Sequence, residues 1–436
     1  MTAVETPPGL TRQAVETLSA SKNEPEWMLE RRLRAWQMYE VLPMPSRADE
    51  EWRRTDISKL RLGDLVPLAG PSGVQVSSPL NLNGNDGGLL THENAATVDR
   101  ELTDELSRQG VIFTDLETAL QEHPDLIEKY FMTEAVTADY NKFSALNAAF
   151  WTGGTLLYVP AGVEASLPLR ALYTLTTPGA ALFTHSLVVV EAGARVTYLE
   201  EYASDGIDRQ SMNAGVVEVF VKRGAHLTYI TLQDWIGDVY DISTQRALLD
   251  RDATLDWLVI GLGNGITKAN LEAALRGAGA STQMLGILWG YEKQHTDYHT
   301  VQDHTAPHTT SDLLYKAALT DESRSIFSGR IRVTKGAQGT DAYQANRNVL
   351  LSDKSSAFPS PNLEIEANEV RCTHGATVGK IDEEQLFYLM SRGLTRDTAT
   401  RMIVEGFFED VLQREPVGGI RDNLRDLIAR KMDLAG

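Results

Sequence analysis

Two seven-residue segments constrain the fold of this chain more than any other feature. Gly193-Ala194-Arg195-Val196-Thr197-Tyr198-Leu199 recurs thirty-one residues later as Gly224-Ala225-His226-Leu227-Thr228-Tyr229-Ile230. In each, a Gly-Ala turn leads into alternating apolar and polar residues, the period of a strand with one buried face. Gly162, in Pro160-Ala161-Gly162-Val163, lies thirty-one residues earlier still. A degenerate echo, Ala253-Thr254-Leu255-Asp256-Trp257-Leu258, starts twenty-eight residues after Ala225. Repeats of this length mark solenoids, propellers and arrays. Each unit is strand and turn without a helix, which favours a β-solenoid, most simply a parallel β-helix, over a β-sandwich.

The β-rich texture extends on both sides of the repeat. It begins at Trp151-Thr152-Gly153-Gly154 and continues to about Gly379. Leu156–Pro160, Leu187–Glu191, Val196–Tyr202, Val216–Lys222 and Leu227–Leu232 all read as strands. The expected organisation has three parts. Residues 1–150 form a mainly helical N-terminal domain, 151–380 the β core and 381–436 a helical C-terminal domain. In the first, Pro25 opens a helix through Glu40 whose stripe includes Trp27, Leu33 and Trp36, and Pro43 and Pro45 end it. Shorter helical patterns span Asp115–Glu122, Pro124–Phe131 and Asp139–Phe150. Residues 69–99 are rich in Gly, Ser and Asn and read as a mobile loop. At the other end Asp382-Glu383-Glu384 open a helix through Met390, Gly393 stops it, and Thr395 caps a second helix through Gln413. A third short helix runs from about Arg421 to Lys431. Such helices can close the solenoid's open edge or present a docking face.

Composition excludes several functions. There are 41 Lys+Arg against 60 Asp+Glu, a formal net charge of −19. That opposes binding to nucleic acid or an anionic membrane surface, both of which need clustered basic residues. Apolar residues are 42% and charged residues 23%, the profile of a globular chain. No apolar run reaches the roughly 18 residues of a membrane span. The first residues have neither a basic start nor an apolar stretch, so a cytoplasmic protein is expected. The single cysteine, Cys372, excludes an intramolecular disulfide and any all-Cys metal site built by one chain.

Several motifs compete with plain structural readings. Gly375-Ala376-Thr377-Val378-Gly379-Lys380-Ile381 fails as a phosphate loop, because it has three residues between the glycines and no Ser or Thr after the Lys. Gly261-Leu262-Gly263-Asn264-Gly265 lacks the third glycine of a dinucleotide fingerprint and reads as a turn cluster. His295, His299, His304 and His308 gather with Asp297 and Asp303, types that bind zinc or iron. Strand spacing would put His295 with His299, and His304 with His308, on common faces, and the competing reading is solvent-facing or turn-bonded histidines. In Val370-Arg371-Cys372-Thr373-His374-Gly375 the only cysteine lies two residues from a histidine. On a strand both point one way, roughly 6.6 Å apart. Thiolate and imidazole both ligate iron and zinc. A cysteine can equally pack as a small hydrophobe. Two ligands cannot close a tetrahedral site, so any metal or cluster here needs a second chain.

With these residues in hand, the chain resembles the SufD family, one subunit of the SufB–SufC–SufD iron–sulfur cluster assembly complex, from about Pro25 to Glu415. The resemblance is carried by Pro43-Met44-Pro45 with Glu51-Trp52-Arg53-Arg54-Thr55-Asp56, by Lys142-Phe143-Ser144-Ala145-Leu146-Asn147 and by Tyr158-Val159-Pro160-Ala161-Gly162. It continues in Ala306-Pro307-His308-Thr309-Thr310-Ser311, Thr340-Asp341-Ala342-Tyr343-Gln344 and Pro361-Asn362-Leu363-Glu364-Ile365. It ends in Cys372-Thr373-His374-Gly375 and Leu386-Phe387-Tyr388-Leu389-Met390. The related SufB pattern has further cysteines in the core and near the C-terminal strands, which this chain lacks. The resemblance implies a right-handed parallel β-helix between helical domains and a non-catalytic scaffold. It implies pairing with SufB through the β-helix edge and with the SufC ATPase through the C-terminal helices, and a homodimer when isolated. Iron or a nascent cluster, transient and shared with SufB, would meet His374 foremost and Cys372 second, while nucleotide would belong to SufC. The resemblance also implies a flavin interaction at the level of the whole complex, which no motif here supports. Phe387, Met390, Phe407 and Phe408 are the candidate docking residues for SufC. A β-helix carbohydrate-active enzyme is the other reading, since fold does not fix function.

Overall fold

The computed structural model describes residues 9–80, 84, 86–263, 265–414 and 418–434. From Thr155–Val159 to Arg371–Lys380 the chain winds into a parallel β-solenoid of about 8 turns. Each turn gives one strand to each of two sheets. The first sheet ends in Ile266–Leu275, His295–His304, Arg324–Val333 and Ser356–Ile365. The second ends in Ser281–Gly290, Thr310–Leu319, Asp341–Leu350 and Arg371–Lys380.

The sequence echo is the solenoid's own register. Arg195 pairs with His226 and His226 with Thr254, so Tyr198, Tyr229 and Trp257 stack in one column. Gly162 belongs to the same spacing through the bridge between Glu164 and Arg195. The column points inward and continues through Met284, Leu313 and Gln344 to His374. The inward residues form one long apolar core interrupted by polar groups. Glu200, fully buried, accepts from the hydroxyls of Tyr198 at 2.8 Å, Tyr202 at 2.9 Å and Tyr229 at 2.7 Å. Three donors on one carboxylate offset much of its desolvation. Where the chain passes from His226–Asp234 to the next coil, Gly237 has φ +113, and a Cβ there would lie 2.0 Å from the Ile207 carbonyl oxygen. No other residue fits that turn.

Part of the expected loop at 69–99 is structured. Gly88–Glu93 adds a parallel strand beside Leu169–Leu175, and Ala96–Leu102 pairs with it antiparallel. The turn residue Asn94 has φ +52. Leu90 is the one large apolar side chain buried in the inner strand, beside the polar His92 and Glu93, and the outer strand is largely exposed, so the hairpin needs few apolar residues and its composition resembles a loop. The N-terminal helices lie on the first sheet. Lys142–Phe150, capped by Asn141, is almost wholly buried under Glu26–Val41. Arg32 locks the two together, pairing with Glu24 and donating to the carbonyls of Ala149 and Trp151.

The C-terminal helices are Glu383–Ser391, Arg396–Leu412 and Gly418–Leu434. Val404, Phe408, Val411 and Leu412 of the second, with Leu424 and Ile428 of the third, pack on the outer face of the second sheet over Leu285, Ile287 and Leu314. Buried Lys316 pins the second helix, donating to the Phe407 carbonyl and to Asp410, both at 2.6 Å.

Candidate functional site

The helices therefore cover the side of the solenoid and leave the strand Arg371–Lys380 exposed over most of its length. Cys372 and His374 both face the interior of this last coil, beside Ala342 and Gln344 of the strand beneath. Cys372 is half-buried against a small cluster that includes Ile331, Val333 and Ala342. Burial, helped by the nearby Asp341 carboxylate, pushes its thiol pKa up. It therefore stays a neutral thiol until something displaces its proton. His374 is exposed. Behind the pair the interior turns polar. Gln344 reaches across to the Asn362 carbonyl of the other sheet at 3.0 Å, and Gln302 donates to Ser311 at 2.6 Å. His304 bonds to Thr309 at 2.7 Å and Ser311 at 2.8 Å. The Oε1 atoms of Gln302 and Gln344 are buried without a hydrogen-bond partner.

The two free edges differ. In parallel pairing, alternate residues turn their backbone groups to opposite neighbours. Ser356 N donates to Ser323 O and Glu366 N to Val333 O, so even-numbered residues of Ser356–Ile365 face inward along the sheet. Ala357, Pro359, Pro361, Leu363 and Ile365 face the free edge, and the two prolines have no N–H to offer there. In the other terminal strand Arg371 N donates to Thr340 O and Ile381 N to Leu350 O. Its free edge thus belongs to Cys372, His374, Ala376, Val378 and Lys380, with every donor present. An added strand would lie directly against the residues that carry the thiol and the imidazole.

The four clustered histidines separate. His295 and His299 share the outer face of the first sheet, but His304 points into the core and His308 sits in a turn with φ +58. The expected pairing of His304 with His308 fails because the strand ends at His304. His295 accepts or donates to Thr55 Oγ1 at 2.8 Å, and His299 Nε2 lies 3.0 Å from Asp297 Oδ1. Asp297 also pairs with Lys268 at 2.9 Å and accepts from Thr55. Burial pushes the Asp297 pKa up, but His299, Lys268 and Thr55 outweigh it and hold the carboxyl at about 2. Burial, aided by Arg324 and Lys268, lowers His295 to about 4. These groups clamp the segment around Thr55 onto the sheet. Among the described residues no three His, Cys, Asp or Glu side chains are placed to hold a metal ion.

The docking candidates also divide. Phe387 is 74% and Met390 40% exposed, whereas Phe408 is fully buried and Phe407 packs beside Lys316. Phe408 is thus a core residue, since the helix turns that face to the sheet. Tyr388 and Met402 join Phe387 and Met390 as exposed apolar groups on the hairpin of Glu383–Ser391 and Arg396–Leu412. Patches of this kind mark protein interaction sites.

Comparison with known proteins gives these features a context. Residues 173–407 match the family model "SUF system FeS cluster assembly, SufBD core domain", and residues 84–171 match "SufBD protein N-terminal region". The chain belongs to the SufBD family. It is 31% identical over 430 residues to an iron–sulfur cluster assembly SufBD family protein of Staphylococcus aureus strain MRSA252, covering 94% of this chain and 90% of that one. The same figures hold for a SufBD family protein of Staphylococcus saprophyticus. The core match spans all but the start of the first coil, the terminal strands with Cys372 and His374, and the helix hairpin up to Phe407. Membership places the chain in iron–sulfur cluster assembly. Among the described residues no helix is long and apolar enough to cross a membrane.

As cargo, iron or a cluster fits this SufBD family member only in part. One soft and one imidazole donor face the same space, and further ligands must come from elsewhere. The polar residues behind them, Gln302, Ser311 and Gln344, escape sequence reading because they lie on three different strands. Only the coil register brings them together.

Proposed function

We propose that this chain is a SufD-type, non-catalytic scaffold subunit of the SUF machinery that pairs with SufB through its terminal coil. The observation that carries the reading is the juxtaposition of His374 and Cys372 with an exposed strand edge whose donors and acceptors are, among the described residues, all free. A second chain adding to that edge would bring its own ligands against the inward pair, where iron or a nascent cluster could be shared as cargo. His374 is ranked above Cys372, because the imidazole is exposed and the thiol is held protonated by burial. The absence of the additional cysteines of the SufB pattern supports the SufD-type assignment. The exposed Phe387, Tyr388, Met390 and Met402 support docking of the SufC ATPase on the C-terminal hairpin, with no nucleotide held by this chain. The cytosol is the proposed location.

Ala376→Pro tests the pairing. Its N–H faces the free edge, so proline there spares the ladder to Asp341–Leu350 and removes one donor at the centre of the edge, as Pro359 and Pro361 do on the neighbouring strand. Co-purification with SufB should fall while the circular dichroism spectrum is kept. Undiminished co-purification would exclude pairing along this edge.

A further inference from the structure

The outer face of the first sheet carries a second feature, independent of the terminal coil. Arg324 and Arg54 both lie over the ring of Phe358, with guanidinium carbons 4.6 Å and 5.5 Å from its centroid. Among the described residues neither they nor Arg47 has a carboxylate within ion-pairing distance. Yet the chain carries a formal charge of −19, so acids are not scarce. The Nε of Arg324 is buried with no hydrogen-bond partner. Burial, then Arg54 and Arg47, lowers the Arg324 pKa against the opposing pull of Asp297. Asp297 is already engaged by Lys268, His299 and Thr55. Beside the arginines a groove of about 440 Å³ is lined by Arg54, Phe358, His299, Ser328, Ser360 and Asn362. Glu50, Glu51, Asp297, Glu364 and Arg330 also border it; Asp297 is held by Lys268 at 2.9 Å and Glu364 by Arg330 at 3.4 Å. Two guanidinium groups stacked on one ring, neither with a carboxylate in direct contact, repel each other unless something neutralises them. Guanidinium forks match the oxygens of phosphate better than any other side chain.

We propose that Arg54 and Arg324, gathered at Phe358, form a binding site for a phosphate-class oxyanion, free or carried by a small organic molecule. Arg324 supplies the partly buried anchor and Arg54 reaches the groove.

The test uses the full chain titrated with inorganic phosphate at constant ionic strength, sodium chloride being exchanged for the phosphate salt. Isothermal calorimetry should show saturable binding, and thermal unfolding a matching rise in Tm. Arg54→Gln and Arg324→Gln should each weaken binding about tenfold or more, the loss of one or more charge-assisted hydrogen bonds. Arg195→Gln, on another face, should leave it unchanged. Titration with adenosine monophosphate separates the sources: equal affinity identifies a bare oxyanion, tighter binding a phosphoryl group on an organic carrier, and both support the site. Non-saturable effects matched by chloride, or equal binding in all variants, would overturn it. If Arg324→Gln fails to fold, Arg54→Gln decides alone, because Arg54 is exposed.

Discussion

Replacing Lys268 with methionine isolates what the Thr55–Asp297 clamp contributes. The side chains of Lys268 and Asp297 are 0% and 1% exposed. Removing the lysine leaves a buried carboxylate held only by Thr55 and His299, and it also deletes the bond to the Glu51 carbonyl and the contact over Trp52. From the lysine side the pair is costly: burial lowers its pKa, and Asp297 and Glu51 only partly oppose this. The carboxylate gains more because three groups donate to it. The drop of its pKa from 3.8 to about 2 corresponds to about 2 kcal/mol. Breaking a buried pair by removing one partner typically costs about 3–5 kcal/mol. Lys268→Met should therefore lose about 3–5 kcal/mol in urea denaturation and expose Arg53 and Arg54 to trypsin. Lys268→Met combined with Asp297→Leu should recover most of that loss, since no charge is left buried. A single variant within about 1 kcal/mol of wild type, or a double variant no better than the single, would refute the reasoning.

Other outcomes follow from the same structure. The Asp297 pKa is depressed on folding, so its stabilisation is present above about pH 4 and is lost as pH falls towards 2. Acid titration of the unfolding free energy should show that loss in wild type, and Asp297→Asn should flatten it. Gly237→Ala combines φ +113 with a 2.0 Å approach to Ile207 O, and it should cost at least about 3 kcal/mol or abolish soluble expression. Phe387→Glu with Met390→Glu should leave Tm within about 2 °C, because both are exposed, and should weaken capture of SufC in a pull-down.

The solenoid was legible because each coil repeats its inward column, and Tyr198 and Tyr229 announce that column in the sequence. The Cys372 and His374 pair was legible for the same reason: two residues on one strand share a face whatever lies around them. The hairpin at 88–102 was not, because an outer strand needs little apolar surface and its composition then matches a loop. Phe408 was misplaced as a docking residue because helical periodicity marks an apolar stripe without saying which stripe meets the sheet. The groove at Asp297 joins residues 50–55 to strands more than two hundred residues away, a juxtaposition that only the tertiary fold creates. The unequal free edges needed hydrogen-bond phase as well as sequence, since Pro359 and Pro361 blunt an edge only when their missing donors face outward.

The most direct test of the terminal-coil assignment is iron and acid-labile sulfide content in complexes purified from cells expressing His374→Ala with SufB and SufC. The complex should assemble as wild type does, since His374 is exposed, and should carry less iron and sulfide, with Cys372→Ala showing a smaller loss. An intact complex with full iron and sulfide that rescues cells lacking the wild-type subunit would contradict the assignment and leave the chain a structural partner alone.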